Sequence, residues 1–177
     1  AAGGDYTSVS RTITFDQGEV SKPVTVPIEN DNLLEGDEQL NLTLSNPTGN
    51  ANLGSANVTT LTILDNDSQA QFAVGAANVN EAGNSLVVNV TRIGATNQAV
   101  VVDYATANAT AFAGADYVAK NGSLTFAAGE TNQTITIDII NDTEIEPNET
   151  FSVSLAVPAG PAPEISLAAP ATVTVTI

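Results

Sequence analysis

The sequence predicts an all-β fold made of antiparallel β-sandwiches in tandem. Apolar residues alternate with polar ones at a period of two, and no segment shows the pattern of an amphipathic helix of useful length. Turn-forming residues separate the alternating runs at spacings that suit Greek-key connections. The alternating series are Val24, Val26 and Ile28, then Leu40, Leu42 and Leu44, then Ile135, Ile137 and Ile139, and finally Phe151, Val153 and Leu155.

An internal repeat also supports this fold. Matching residues lie 111 positions apart, and the match slips by three where a loop around Pro158 to Pro170 lengthens before the last strand. The matching pairs are Gly4-Asp5-Tyr6 with Ala115-Asp116-Tyr117, Thr14-Phe15 with Thr125-Phe126, Gly18-Glu19 with Gly129-Glu130, Asn30-Asp31 with Asn141-Asp142, Glu35 with Glu146, Glu38 with Glu149, and, after the slip, Leu61-Thr62-Ile63 with Val175-Thr176-Ile177.

The two copies differ in how many strands they contain. Three strand candidates, 71–74, 86–93 and 99–105, precede the second copy and complete a seven-stranded sandwich with the four strands after Asp116. We therefore expect residues 1–67 to be the C-terminal part of a first domain without its first three strands, and residues 68–177 to be a second, nearly complete domain. We also expect the array to continue upstream, because half a sandwich exposes a core face to water. Pro23 and Pro27 mark their strand as an edge strand.

Composition excludes several classes of function. Twenty Asp and Glu oppose four Lys and Arg, a formal charge of −16, which disfavours nucleic acid and anionic membranes as partners. Because Cys, His and Trp are absent, disulfides, His-containing catalytic triads and zinc, copper, haem or iron–sulfur ligation are excluded. No apolar run approaches the roughly 18 residues of a membrane span. The many Asn, Thr, Ala, Val and Gly residues predict a secreted bacterial protein, located extracellularly or at the cell surface.

The acidic residues are concentrated in three short segments. Residues 29–38, 65–67 and 142–149 make up 21 positions and carry 11 of the 20 carboxylates. A solvated charge run is the simplest interpretation, but the cluster recurs at the same place in both copies. Two carboxylates about 5 Å apart repel by roughly 3 kcal/mol at an effective dielectric near 20, so a cation among them is favoured. Calcium suits irregular sets of six to eight oxygen ligands, and the sequence does not match an EF-hand loop.

The ordered motifs resemble the Calx-β domain family. They are Gly-x-Asp-Tyr, a strand ending in Phe, Gly-Glu, a strand running into Asn-Asp-x-x-x-Glu-x-x-Glu, and a last strand ending Thr-Ile-Leu-Asp-Asn-Asp. The second copy adds Val79-Asn-Glu81-Ala-Gly83 at its first turn. The resemblance implies seven-stranded antiparallel immunoglobulin-like β-sandwiches, which occur in tandem in sodium–calcium exchangers, integrin β4 and bacterial surface proteins. Some members bind calcium at one tip.

The resemblance also implies two calcium sites, each incomplete in this sequence. The first would use Asp5, Asp31, Glu35, Glu38, Asp65 and Asp67, with a carbonyl near Leu33. The second would use Glu81, Asp116, Asp142, Glu146 and Glu149, with Glu144 as an extra ligand. Because some members of the family lack enough acids to bind calcium, a vestigial acidic rim is the alternative.

These observations predict a non-enzymatic, calcium-binding structural or adhesive module whose partners are neighbouring Calx-β repeats in the same or an adjacent chain. Asp65 and Asp67 in the linker would let calcium stiffen the domain junction. One alternative is a subunit of an extracellular filament or sheath in which calcium is incidental, and another is a regulatory calcium sensor with a membrane partner. Paired carboxylates also serve glycosidases, but Phe15, Phe72, Phe126, Phe151, Tyr6 and Tyr117 are expected to pack within the sandwiches instead of forming a sugar platform.

Overall fold

The computed structural model describes residues 4–160 and 164–177, which divide into two compact units. The first unit extends from the start of the described residues to Asp31 and continues over Glu35–Asp65. The second contains Asn32–Leu34 and Asn66–Ile177. Regular structure in the described ranges consists of β-strands and one 3-10 turn at Glu81–Gly83. Within these ranges, no helix has the length and apolar character needed to cross a membrane.

The first unit contains one pair of antiparallel strands. Strand β1 (Glu38–Thr43) pairs with β2 (Val58–Ile63), with Glu38 opposite Ile63 and Thr43 opposite Val58. Leu40 is buried at the centre of this pair, which agrees with the predicted alternation. Outside it, an antiparallel bridge joins Tyr6 to Ile28.

Two predictions for the first copy are wrong. The strand through Val24 and Val26 does not form among the described residues, and Phe15, predicted to lie in a core, is 55% exposed. The physical reason is that a strand needs a neighbour to receive its hydrogen bonds. The matching strand of the second copy pairs with residues 85–94, a segment that has no counterpart among the described residues of the first unit.

The second unit is a two-layered β-sandwich. Its strands are β3 (Ser68–Phe72), β4 (Ala76–Asn78), β5 (Ser85–Gly94), β6 (Val100–Asn108), β7 (Asn121–Phe126), β8 (Asn132–Asp138), β9 (Thr150–Ala156), β10 (Ile165–Leu167) and β11 (Thr172–Thr176). One sheet has the order β10-β3-β5-β8 and the other β4-β11-β9-β6-β7. The pairs β10–β3 and β11–β4 are parallel, while the remaining pairs of the two sheets are antiparallel.

The core lies between the two sheets. Each long strand buries alternate residues, so Val88 and Val90 of β5 and Ile135 and Ile137 of β8 lie on the core side of one sheet. In the register of these two strands, Val88 is opposite Ile135. Phe72, Phe126 and Phe151 are buried as predicted, and Tyr117 stacks on Phe151 with ring centroids 4.1 Å apart. The short strand β10 was not predicted, because its sequence falls in the loop expected around Pro158 to Pro170.

Candidate metal centre

Three carboxylates converge at one tip of the second unit. Asp116 comes from the β6–β7 connection, and Glu146 and Glu149 come from the β8–β9 loop. One carboxylate oxygen from each lies within 4.8 Å of the others. They border an open cavity of about 640 Å³, lined by residues 78–82, 116, 140–141, 144–149 and 176–177. The carboxylates that the resemblance assigns to separate loops therefore meet in space.

Asp116 is held by the backbone of its own turn and by the core. Its Oδ2 accepts a hydrogen bond from the Phe112 amide at 2.6 Å, and the side chain is only 9% exposed. The neighbouring Tyr117 is 1% exposed and donates its hydroxyl to Asn108 Oδ1 at 2.6 Å. Asn108 Oδ1 also accepts a hydrogen bond from the Ala113 amide at 3.0 Å. The Asn108 side chain therefore binds both Ala113 and Tyr117, on either side of Asp116 in the sequence. Packing of the tyrosine thus fixes the position of the aspartate.

The far end of the β8–β9 loop is anchored to the end of the last strand. The Glu149 amide donates to the Ile177 carbonyl at 3.2 Å, and the Ile177 amide donates to the Glu149 carbonyl at 2.9 Å. This antiparallel exchange fixes the backbone of Glu149 directly before β9. Glu146 lies within the loop itself and is exposed.

Other acids assigned to the second site take part in bonds within the loops. Glu81 Oε1 accepts the Asp142 amide at 3.0 Å, which ties the turn at Glu81–Gly83 to the β8–β9 loop. Asp142 Oδ1 in turn accepts the Glu144 amide at 2.7 Å. Glu81 and Glu144 line the cavity, but neither they nor Asp142 belong to the three-carboxylate cluster. In this geometry they shape the loop around the cluster.

The electrostatics of the cluster reflect crowded negative charge. Partial loss of hydration raises the pKa of Glu146, and nearby charges raise it further, namely those of Asp116, Asp142, Glu149 and Glu81. Loss of hydration also raises the pKa of Glu149, followed by the charge and hydrogen bonding of Asp116. Both shifts mean that ionising all of these carboxyl groups together costs free energy in the folded chain. A cation bound between them would offset this electrostatic cost.

The first unit gathers a similar set of acids. Loss of hydration raises the pKa of Glu35, with further contributions from Asp5, Asp31 and Glu38. Hydrogen bonding with Asp5 raises the pKa of Glu38, and burial adds to it. Glu38 Oε2 is buried, and no N–H group donates a hydrogen bond to it. The neighbouring carboxyl group of Asp5 can form a hydrogen bond with Glu38 only when one of the two groups is protonated. A buried carboxylate oxygen beside other carboxylates is what a calcium ion fits.

Asp65 joins the acidic loop of the first unit through the backbone. Its Oδ2 accepts the amides of Glu35 at 3.0 Å and Gly36 at 2.7 Å. The Asp65 amide donates to Asp37 Oδ1 at 3.1 Å, so Asp37, which was not among the predicted site residues, also positions the linker. The remaining residues assigned to the first site, Leu33 and Asp67, belong to the second unit, where Asp67 is buried.

The fold and these loops define an immunoglobulin-like β-sandwich with an acidic tip. The family model for the Calx-beta domain matches residues 1–67 and 68–177, and the chain belongs to that family. The predicted resemblance and the predicted fold class are therefore confirmed.

The chain is similar to parts of sodium/calcium exchangers. Sodium/calcium exchanger 1 of Rattus norvegicus is 31% identical over 177 residues, covering 89% of this chain and 18% of the exchanger. The chain thus spans less than a fifth of that relative. Among solved structures, the apo-form Calx CBD1 domain is 32% identical with a TM-score of 0.56, covering 62% of this chain and 96% of that one. Calcium binding domain CBD12 of CALX1.1 is 33% identical with a TM-score of 0.57, covering 60% and 44% respectively.

The predicted extracellular or cell-surface location is wrong. The relatives that match this chain are sodium/calcium exchangers, not bacterial surface proteins. Composition was misleading because a surface rich in Asn and Thr suits the exposed face of a β-sheet in any aqueous compartment.

Proposed function

We propose that this chain is a non-catalytic, calcium-binding regulatory module built from Calx-β repeats, with residues 68–177 forming one repeat and residues 1–67 the C-terminal part of another. The observation that carries the proposal is the convergence of Asp116, Glu146 and Glu149 within 4.8 Å at the tip of the second unit. Three carboxylates at this separation repel one another, and burial of Asp116 strengthens that repulsion. The arrangement is suited to a bound divalent cation.

The proposed ligands differ in how firmly the chain holds them. Asp116 is fixed by a backbone bond within its turn and Glu149 by backbone bonds directly before β9, whereas Glu146 lies in the middle of a loop. Glu81, Asp142 and Glu144 complete the proposed second site around this core. Calcium fits better than magnesium, because carboxylates from irregular loops rarely provide the strict octahedron that magnesium needs. When bound, calcium would supply positive charge between the carboxylates.

For the first site we propose Asp5, Asp31, Glu35, Glu38 and Asp65, together with Asp67 and the carbonyl of Leu33. The raised pKa values of Glu35 and Glu38 support the first four. The bonds that Asp65 accepts from the Glu35 and Gly36 amides support its place in the set. The contribution of Leu33 and Asp67 rests on the sequence resemblance. Because Asp65 belongs to the linker and bonds to the acidic loop, we further propose that calcium stiffens the junction between repeats.

Calorimetry on the whole chain tests the site. Glu149→Gln removes one charge from the cluster with little change of shape, and we expect it to weaken calcium binding by about tenfold or more, in keeping with the loss of one charged ligand. Glu130→Gln is the matched control, because Glu130 Oε2 caps the turn by accepting the Ala127 amide and an amide oxygen can do the same. Equal calcium binding by both variants and the parent chain would contradict the proposed site.

Small-angle scattering tests the proposed stiffening of the junction. A chelator should broaden the distribution of maximum dimensions relative to calcium, and the double variant Asp65→Asn, Asp67→Asn should resemble the chelated chain even with calcium present. A distribution that stays the same under all three conditions would exclude calcium as a determinant of the junction.

A further inference from the structure

Strand β8 is the last strand of its sheet, which has the order β10-β3-β5-β8. The Arg92 amide donates to the Thr131 carbonyl at 2.8 Å, so the odd-numbered residues of this segment direct their backbone groups toward β5. Asn132, Thr134 and Thr136 therefore direct their N–H and C=O groups away from the sheet. We call this row of three residues the β8 edge. Such a row is a template on which another strand can pair.

The β8 edge suits pairing with its own copy. The stretch 132–137 reads Asn-Gln-Thr-Ile-Thr-Ile and carries no charge, although the chain as a whole has a net charge of −16. Two copies can therefore approach along this stretch without like charges opposite one another. In an antiparallel pair centred on Thr134, that residue lies opposite itself, and pairs of threonine on neighbouring strands are favourable.

Two side chains already bond to the backbone along this side of the sandwich. Lys120 Nζ donates to the Thr136 carbonyl at 2.6 Å. Gln133 Nε2 donates to the Thr125 carbonyl of β7, the last strand of the other sheet, at 3.0 Å, and to Glu130 Oε2 at 3.0 Å. The lysine thus occupies an acceptor that an added strand would need, and the glutamine joins the two sheets beside it.

The internal repeat shows the same edge protected in another way. The residues 111 positions before Thr134 and Asp138 are Pro23 and Pro27. Proline has no amide hydrogen, so both matching positions lack the outward donor that an added strand needs. A basic side chain again bonds to a carbonyl of this segment, since Arg11 Nη2 donates to the Pro23 carbonyl at 3.1 Å. The second copy has no proline at these positions and depends on side-chain bonds instead.

We propose that the β8 edge is a docking surface for the same strand of a second copy of this chain, and that Lys120 and Gln133 keep it closed. The end of β8 nearer the acidic tip is covered by backbone, because the Val118 amide donates to the Asp138 carbonyl at 2.9 Å. Docking is therefore limited to the stretch 132–136. This surface contains no proposed calcium ligand, so the inference is independent of calcium binding.

Sedimentation velocity on the whole chain in chelator tests the proposal. The double variant Lys120→Met, Gln133→Ala removes both side-chain bonds, and we expect its dimer dissociation constant to be about tenfold or more below that of the parent chain. Lys22→Met is the matched control, because it removes the same charge from a lysine that bonds to the Glu19 carboxylate at 2.6 Å and to no edge carbonyl. An unchanged dissociation constant in the double variant, or an equal decrease in the control, would overturn the proposal.

A proline at the centre of the edge separates docking from misfolding. The Thr134 amide faces away from β5, so Thr134→Pro removes the outward donor without breaking a bond of the sheet. Added to the double variant, it should return the dissociation constant to the parent value, as Pro23 would at the matching position of the first copy. Association that persists in this triple variant would show that another surface or a misfolded chain is responsible, and would reject the proposal.

Disulfide cross-linking locates the contact. The native chain has no cysteine, so Thr134→Cys and Thr174→Cys each introduce a single exposed thiol, the first on the β8 edge and the second on β11, which lies between β4 and β9. In the double variant we expect oxidation to cross-link the Thr134→Cys chains about tenfold faster than in the parent background, and the Thr174→Cys chains at an unchanged rate. Equal acceleration at both positions would contradict docking at this edge.

Discussion

Replacement of Tyr117 by phenylalanine should loosen the turn that carries Asp116. The substitution keeps the ring that stacks on Phe151 at 4.1 Å and removes only the hydroxyl that donates to Asn108 Oδ1 at 2.6 Å. A partly buried hydrogen bond of this kind contributes about 1 kcal/mol net. For a unit of this size, that loss lowers the melting temperature by about 4 °C.

A double-mutant cycle identifies the source of that loss. Asn108→Ala removes the acceptor for both the Tyr117 hydroxyl and the Ala113 amide, so we expect it to cost about 2 kcal/mol alone. Tyr117→Phe added to Asn108→Ala should then cost little more, which gives a coupling near 1 kcal/mol. Urea unfolding followed by circular dichroism measures all four chains. Losses that simply add would show that the hydroxyl does not act through Asn108, and the account of how Asp116 is positioned would fail.

Three further outcomes are expected. Gly122→Ala should destabilise the second unit by about 1 kcal/mol in urea unfolding, because its Cβ would lie 3.1 Å from the Tyr104 hydroxyl, whereas Gly54→Ala, with open space around it, should not. In chelator, the melting temperature should rise as the pH falls from 7 toward 5, because the raised pKa of Glu149 makes the folded state bind more protons than the unfolded state. Glu149→Gln should flatten this rise. An unchanged slope in this variant would contradict the inferred repulsion between Glu149 and Asp116. Calcium at one hundred times its dissociation constant should add about 2.7 kcal/mol to the free energy of unfolding, and magnesium should add much less. Equal shifts in melting temperature with the two cations would indicate charge screening alone.

Much of the second unit could be predicted because each of its long strands carries its own alternation. The run 86–93 falls within β5 and the run 99–105 overlaps β6 from Val100 onward, and Ile135 and Ile137 face the core as their pattern indicates. The strand at Val24 and Val26 has an equally clear pattern and does not form. Alternation specifies which face a strand buries, whereas its formation depends on a partner elsewhere in the chain.

The candidate site was predictable only in part for a related reason. Carboxylates in repeated loops are visible in the sequence, and the structure brings Asp116, Glu146 and Glu149 together. The bonds that position them come from backbone amides and from Asn108, which have no signature in the sequence. Asp37 is visible as an acid, but its bond to the Asp65 amide requires the three-dimensional turn.

The bond between Glu81 and the Asp142 amide spans 61 residues of the sequence and joins the 3-10 turn at Glu81–Gly83 to the β8–β9 loop. An EF-hand collects its ligands within one short loop of the sequence. Here the residues of the tip come from connections that lie far apart in the sequence and meet only in the folded sandwich. An ion held by this tip would therefore bind the complete sandwich and not the unfolded chain, so its binding energy would add to the stability of the whole unit.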